Sequence, residues 1–331
     1  MKKMILWCIL CILLIIGLRQ ANTISRFSPI SLRYTTPISG QIAYRSRQHA
    51  VNNPKTFWPT FWSETTVPIS TSYRETYAVG INFSGDATLV WPAIYLAGSA
   101  PSSIDGNGIA VSETLAHRLW GSTDIVGMTV LVNEEERTVR GVFQGDTELA
   151  LISFHIEDTS PNWHGVELSG GENNPTRSDA ENFAIASGMG IPDYILTGGA
   201  MTLADFMSLL PILIVGAYVP VLLFRFIQNN LPQFSAPILF TILISLAISL
   251  PFLLDALPPW LIPTYWSDFS FWSSLFNQAG DSTREFLSVP PVLRDVELRM
   301  HLLRQVGILF LSACCGIIIL TGNNRNVITM I

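Results

Sequence analysis

Two groups of side chains have the types that acid–base or metal chemistry requires. Ser112 and His117 could pair as nucleophile and base, and His155, Glu157, Asp158 and His164 could gather around a proton or a metal ion. Neither group has the spacing. Ser112 and His117 lie five residues apart, off the same face of a helix, and Ser112 stands where that helix needs its cap. Two histidines nine residues apart, with Pro161 between them, match no metal-ligand pattern, so the second group reads as a solvated loop. No nucleophile elbow, zinc-protease helix or dinucleotide fingerprint occurs. Cys8, Cys11, Cys314 and Cys315 all fall in apolar segments and read as packing residues, leaving no disulfide framework and no thiol set for zinc. The only lysines are Lys2, Lys3 and Lys55, and none follows the glycines of a P-loop. The expectation is a protein that is not an enzyme and has no catalytic, cofactor-binding or metal residues. ATP, if it is used, binds another chain.

The elements that would position any such site divide into apolar and globular stretches. Of 331 residues, 49% are hydrophobic and only 13% charged, about half the charged fraction usual in soluble domains. Mean hydropathy is +0.38, and the excess is concentrated at residues 4–18, 206–224, 236–254 and 306–321. These read as four transmembrane helices, one before a large polar region and three after it. The first is short and follows Lys2 and Lys3. Arg19 comes directly after it and no small-x-small cleavage site is near, so a signal anchor is expected, with a cleaved signal peptide as the alternative. Lys2, Lys3, Arg225 and Arg325 fall on one side if the amino terminus is cytoplasmic, and Asp205 and Asp255 on the other, which places the large region outside the cell membrane. Pro211 and Pro220 interrupt the second span and Pro251 the third. They are candidate hinges, with static kinks as the simpler reading. No charged residue lies within a span, so no buried proton relay is expected. The net charge of −6, without a basic patch, excludes nucleic acid as a partner.

The region 19–202 reads as an α+β domain. Its early part looks irregular, and Phe57-Trp58-Pro59-Thr60-Phe61-Trp62 reads as core aromatics. From Gly108 the signals sharpen. Ile109-Ala110-Val111 reads as a strand, and Ser112 caps a helix with Glu113 in its first turn. Leu115, Ala116, Leu119 and Trp120 share one face of it, and Gly121 ends it. Residues 128–132 and 137–143 then form a hairpin. Residues 203–331 are expected to hold the last three spans, with an aromatic-rich loop at 255–305 that includes Trp260, Tyr265, Trp266, Phe269, Phe271, Trp272 and Phe276. That loop reads as a segment lying on the outer leaflet, with Glu285 to Arg304 as a charged helix leading into the last span.

The stretch from Gly108 to Phe143 resembles the outer core domain of the MacB/FtsX class of ABC transporter permeases. The carrying residues are Ser112, Leu115, Ala116, Leu119, Trp120 and Gly121, then Asp124, Val126 and Gly127, then Val139, Gly141 and Val142. The one-plus-three arrangement of spans agrees with the same class. The resemblance implies a multi-pass plasma-membrane protein that pairs with a second permease subunit and an ABC ATPase. Nucleotide-driven motion of the spans would move the outer domain, for export or mechanotransmission, with an outer partner protein in some members. It assigns ATPase coupling to the short connection after the second span, here Arg225, Phe226, Gln228, Asn229 and Asn230. That connection, 225–235, is shorter than the class pattern, and the loop before the last span is longer. A membrane-anchored outer scaffold or sensor that has lost ATPase coupling is therefore the alternative.

Overall fold

A computed structural model describes residues 2–24, 26–27, 30–53, 57–170, 176–197, 240, 244 and 269–328. The chain forms two compact units. One comprises Met1–Ala21, Thr202–Asp281 and Leu302–Ile331, and the other Asn22–Met201 with Ser282–His301.

The second unit is built on a mixed sheet of ten strands among the described residues. In chain order its elements are β1 (Ile30–Ser39), α2 (Gly40–Asn52), β2 (Phe57–Ser70), β3 (Glu75–Ser84), α3 (Ala87–Val90), β4 (Tyr95–Gly98), β5 (Gly108–Ser112), α4 (Glu113–Trp120), β6 (Thr129–Val132), β7 (Glu135–Phe143), β8 (Leu149–Ser153), β9 (Asn162–Gly170), α5 (Arg177–Ala186) and β10 (Tyr194–Thr197). The strand order is β10-β1-β9-β2-β3-β8-β5-β7-β4, with β6 pairing both β2 and β7.

The unit from β5 to β7 forms as its sequence dictates. The Ser112 hydroxyl accepts the Leu115 amide at the start of α4, and Gly121 ends the helix in the left-handed region at φ 75°. Leu115, Ala116 and Leu119 are buried against Ile109, Val111, Val139 and Ile152, with Trp120 at the margin. A turn at Asn133 and Glu134, both at positive φ, closes the β6–β7 hairpin.

The early part of this unit is regular, contrary to the expectation from sequence. Strand β2 runs for 14 residues despite Pro59 and Pro68, which lack the donor a central strand needs. The register shows why both are tolerated. Residues 57–60 pair only with β9, because β3 joins at Phe61↔Ser84. At Pro68 the only paired strand is β3, since β9 pairing stops at Trp62 and β6 joins at Ile69, and on the β6 side Pro68 is needed only as an acceptor, for the Asn133 amide. Phe57, Phe61 and Trp62 are core residues as expected, whereas Trp58 is 52% exposed.

Helix α1 (Lys2–Ile24), which belongs to the first unit as far as Ala21, extends beyond the expected 4–18. Two further helices, α6 (Phe269–Ser288) and α7 (Leu293–Ile328), contribute residues to both units. Among the described residues two stretches are long and apolar enough to cross a membrane, Ile5–Ile24 and Leu293–Gly316, with mean hydropathies of 2.0 and 1.2. Ile5, Ile12 and Ile15 of α1 and Leu303, Phe310 and Ile318 of α7 are exposed, as side chains facing lipid would be. Ile308 of α7 lies 3.4 Å from where a Cβ on Gly17 of α1 would sit, so the glycine admits a close approach within this unit. The expected second and third spans, with Pro211, Pro220 and Pro251, lie outside the described residues.

Candidate functional site

Strand alternation sets the site. On β9, Gly165 and Glu167 share one face, while Val166 and Leu168 turn to the hydrophobic core on the other. The pairing places Ser31 and Arg33 of β1 beside Glu167 and Gly165 respectively, and Thr60 and Trp62 of β2 beside the same two residues on the other side. Gly165 leaves room between the long side chains of Arg33 and Trp62: a Cβ there would sit 2.3 Å from Trp62 Cε2. Glu167, fully buried, accepts at one oxygen from Ser31 Oγ (2.7 Å), Arg33 (3.0 Å) and Trp62 Nε1 (2.8 Å).

The remaining members come from far along the chain. Leu293, Arg294 and Asp295, at the amino end of α7, belong to the same compact unit and close over this face. Asp295 pairs with Arg33 at 2.8 Å and with Arg294 at 3.5 Å, and Arg294 lies 3.1 Å from the second oxygen of Glu167. That last contact is an ion pair without hydrogen-bond alignment, because Glu167 Oε2 has no hydrogen-bond partner. Arg294 also donates to the carbonyls of Val90 and Leu89, and both guanidiniums lie over the Trp62 ring, Arg33 at 4.6 Å and Arg294 at 5.7 Å. The Leu293 amide donates to Glu64 at 2.7 Å, and Val292 and Leu293 pack on the core cluster of Trp62, Phe83 and Phe143.

Two cations and two anions thus form a neutral, buried set. Burial opposes the charge on Arg33, but Asp295 and Glu167 outweigh it and hold its pKa above the ordinary value. Burial raises the pKa of Glu64, partly offset by the Leu293 amide. Such a set has no exposed nucleophile or base and no room for a substrate. It fastens one segment to another with high directional specificity, because removing any single member strands an opposite charge at a cost of about 3–5 kcal/mol. Further bonds tie down the same segment. Arg177 pairs with Glu285, Arg299 donates to the carbonyls of Phe286 and Val289, and the Thr197 and Ser282 hydroxyls meet at 3.2 Å.

The residues singled out for chemistry do not assemble. Ser112 is fully buried, and its hydroxyl donates to Thr147 O and accepts from the Leu115 and Leu149 amides, so it is committed to structure. His117 is exposed and faces Glu113 one turn away. His164 lies within β9 rather than in a loop, its Nδ1 3.1 Å from Tyr34 O, while His155 accepts the Glu157 amide in a turn. Among the described residues no group of three metal-binding side chains occurs. Arg225, Phe226, Gln228, Asn229 and Asn230 lie outside the described residues. Sequence reading missed the junction itself. Its signal was a charge at alternate positions within apolar strands, Arg33 in ISLRY and Glu167 in GVELS. It also placed 282–301 with the membrane region, whereas those residues fold into the sheet unit.

No family model and no curated protein matches the sequence. Among solved structures, the sheet unit is similar to the extracellular domain of a noncanonic ABC-type transporter, YknZ, from Gram-positive bacteria. The TM-score is 0.40 at 11% identity, over 48% of this chain and 91% of that one. It is similar also to the periplasmic region of MacB from Actinobacillus actinomycetemcomitans, with a TM-score of 0.42 at 10% identity, over 53% of this chain and 90% of that one. At these scores the likenesses are of partial shape. The functional reading rests on the junction and on the sequence motif from Ser112 to Val142.

Proposed function

We propose that this chain is a permease-like subunit of an ABC transporter complex of the MacB/FtsX class. It converts the motion of membrane helices, driven by an ATPase on a separate subunit, into motion of an outer sheet domain. The observation that carries this reading is the buried junction. Residues 293–295 are held in the sheet unit by paired charges, and the helix they begin, α7, runs on through the apolar residues 306–320. A helix so fastened transmits displacement instead of slipping, because the bonds that hold it are short, directional and shielded from water.

In this reading the chain sits in the plasma membrane with four spans and its sheet domain outside. It pairs with a second permease subunit and carries no nucleotide itself. Arg225, Phe226, Gln228, Asn229 and Asn230 form the surface that meets the ATPase, and Pro211, Pro220 and Pro251 are the hinge points of spans two and three. The test is purification of the full-length protein from its native membrane in mild detergent. A stoichiometric ATP-hydrolysing subunit is the expected companion, and repeated absence of one overturns the reading. A scaffold or sensor without ATPase coupling is separated by replacing residues 226–232 with alanine. Loss of ATPase association supports the permease reading, whereas full assembly and activity support the scaffold.

A further inference from the structure

A second feature of the sheet unit lies apart from the charge junction. Where β2 runs beyond the end of β3, residues 57–60 have a strand partner on one side only among the described residues. The open side borders a cavity of about 420 Å³, within the usual range for small-molecule sites. One wall is a single stripe of α2, Tyr44, Arg47, Gln48 and Val51, at helical spacing i, i+3, i+4, i+7. Facing it are Trp58 of β2 and two loop residues, Ile104 and Ile156. Five large apolar side chains therefore converge on one opening while remaining substantially exposed: Tyr44 36%, Val51 57%, Trp58 52%, Ile104 78% and Ile156 37%.

The charges around the cavity decide what it takes. Arg47 is buried, and its two terminal nitrogens donate to Ile156 O (2.5 Å) and Ser84 O (2.7 Å). Its guanidinium lies over the Phe61 ring at 5.0 Å, and burial pulls its pKa down to about 10. Its two terminal nitrogens fix the 156 loop to α2, and its buried Nε has no hydrogen-bond partner among the described residues. The charges exposed at the mouth are the carboxylates of Glu157 and Asp86, the latter using one oxygen to cap α3. An apolar chamber with aromatic walls and an acidic mouth matches an amphipathic cation, whose apolar body fills the chamber while its charge meets the carboxylates and the ring faces.

We propose that this cavity is a binding site for a small amphipathic organic cation, with Trp58, Ile104 and Val51 holding the apolar body and Glu157 the positive charge. The site does not depend on whether an ATPase docks elsewhere. Its test uses three probes that share one ring system and differ in charge: tryptamine (positive), N-acetyltryptamine (neutral) and indole-3-acetate (negative). Binding to the full-length protein in lipid nanodiscs is measured by saturation-transfer NMR, with empty nanodiscs subtracted. A probe of this size should bind with a Kd on the order of 1 mM. The expected order is tryptamine, then N-acetyltryptamine, then indole-3-acetate. Glu157→Gln should weaken tryptamine about two- to fivefold and leave the neutral probe unchanged. Ile104→Ser, at a largely exposed position that folding tolerates, should weaken all three. Indole-3-acetate binding as tightly as tryptamine, indifference of every probe to Ile104→Ser, or no saturable binding by any probe would each overturn the assignment.

Discussion

Replacing Asp295 by leucine deletes one of the two carboxylates that contact both arginines of the junction, Arg33 at 2.8 Å and Arg294 at 3.5 Å. What remains is two guanidiniums sharing Glu167, a net charge of +1 in a site where Glu167 and Asp295 are each 0% exposed. An uncompensated buried charge costs about 3–5 kcal/mol. In a unit of this size each kcal/mol moves the midpoint by roughly 2–4 °C, so the apparent Tm should fall by roughly 6–20 °C. Arg294→Met strands charge of the opposite sign and also deprives the Val90 and Leu89 carbonyls of their donor, giving a loss of similar size. The double variant removes one charge of each sign and leaves the neutral Arg33–Glu167 pair at 3.0 Å intact. The two single losses should therefore exceed the double loss by about 2 kcal/mol or more. The assay is thermal unfolding of the full-length protein in detergent, followed by tryptophan fluorescence at one fixed scan rate so that irreversibility affects all variants alike. Additive losses to within about 0.5 kcal/mol, or an Asp295→Leu shift below roughly 3 °C, would refute the view of the four charges as one fastening.

Three further outcomes follow from the same geometry. Gly165→Ala places a methyl group 2.3 Å from Trp62 Cε2 and should cost about 1–3 kcal/mol, with a changed tryptophan emission maximum as its signature. Ser112→Ala removes the cap of α4 and two more buried hydrogen bonds, so a loss of about 1–3 kcal/mol is expected in the same unfolding assay. Burial raises the folded-state pKa of Glu64 above its unfolded value, so its charge opposes folding at neutral pH and protonation relieves that opposition. Glu64→Gln, which keeps an oxygen for the Leu293 amide, should therefore match or exceed the parent in Tm at pH 7.5. Its advantage should shrink as pH falls through the Glu64 pKa, and an advantage that grows toward acid would contradict the assignment.

The part of the fold legible in the sequence was the part written by local rules. The strand–helix–hairpin from Gly108 to Phe143 announces itself through the Ser112 cap, the apolar stripe of α4 and Gly121, all within a few residues of what they control. Strand β2 was illegible because Pro59 and Pro68 argue against a strand. Their tolerance depends on which neighbours are absent at those two points, a property of the sheet and not of the segment. The junction was hidden for a related reason. Arg33 meets Glu167 134 residues away and Asp295 262 residues away, and no short motif joins positions so far apart. A charge between apolar strand residues signals only that a partner must exist, since burial without one is prohibitive. Its identity comes from the docking of 293–295, which composition assigned to the approach of a membrane span.

Nucleotide-driven movement of the sheet domain is what the proposed function requires above all. With Cys8, Cys11, Cys314 and Cys315 replaced by serine, a single spin label goes at Tyr73, which is 96% exposed at the tip of the β2–β3 hairpin. Distances between the labels of two paired subunits are then recorded in the purified, ATP-hydrolysing complex, with and without vanadate trapping. The distance distribution should shift with trapping and stop shifting when Asp295→Leu loosens the junction. An unchanged distribution in a complex that still hydrolyses ATP would contradict the proposed function.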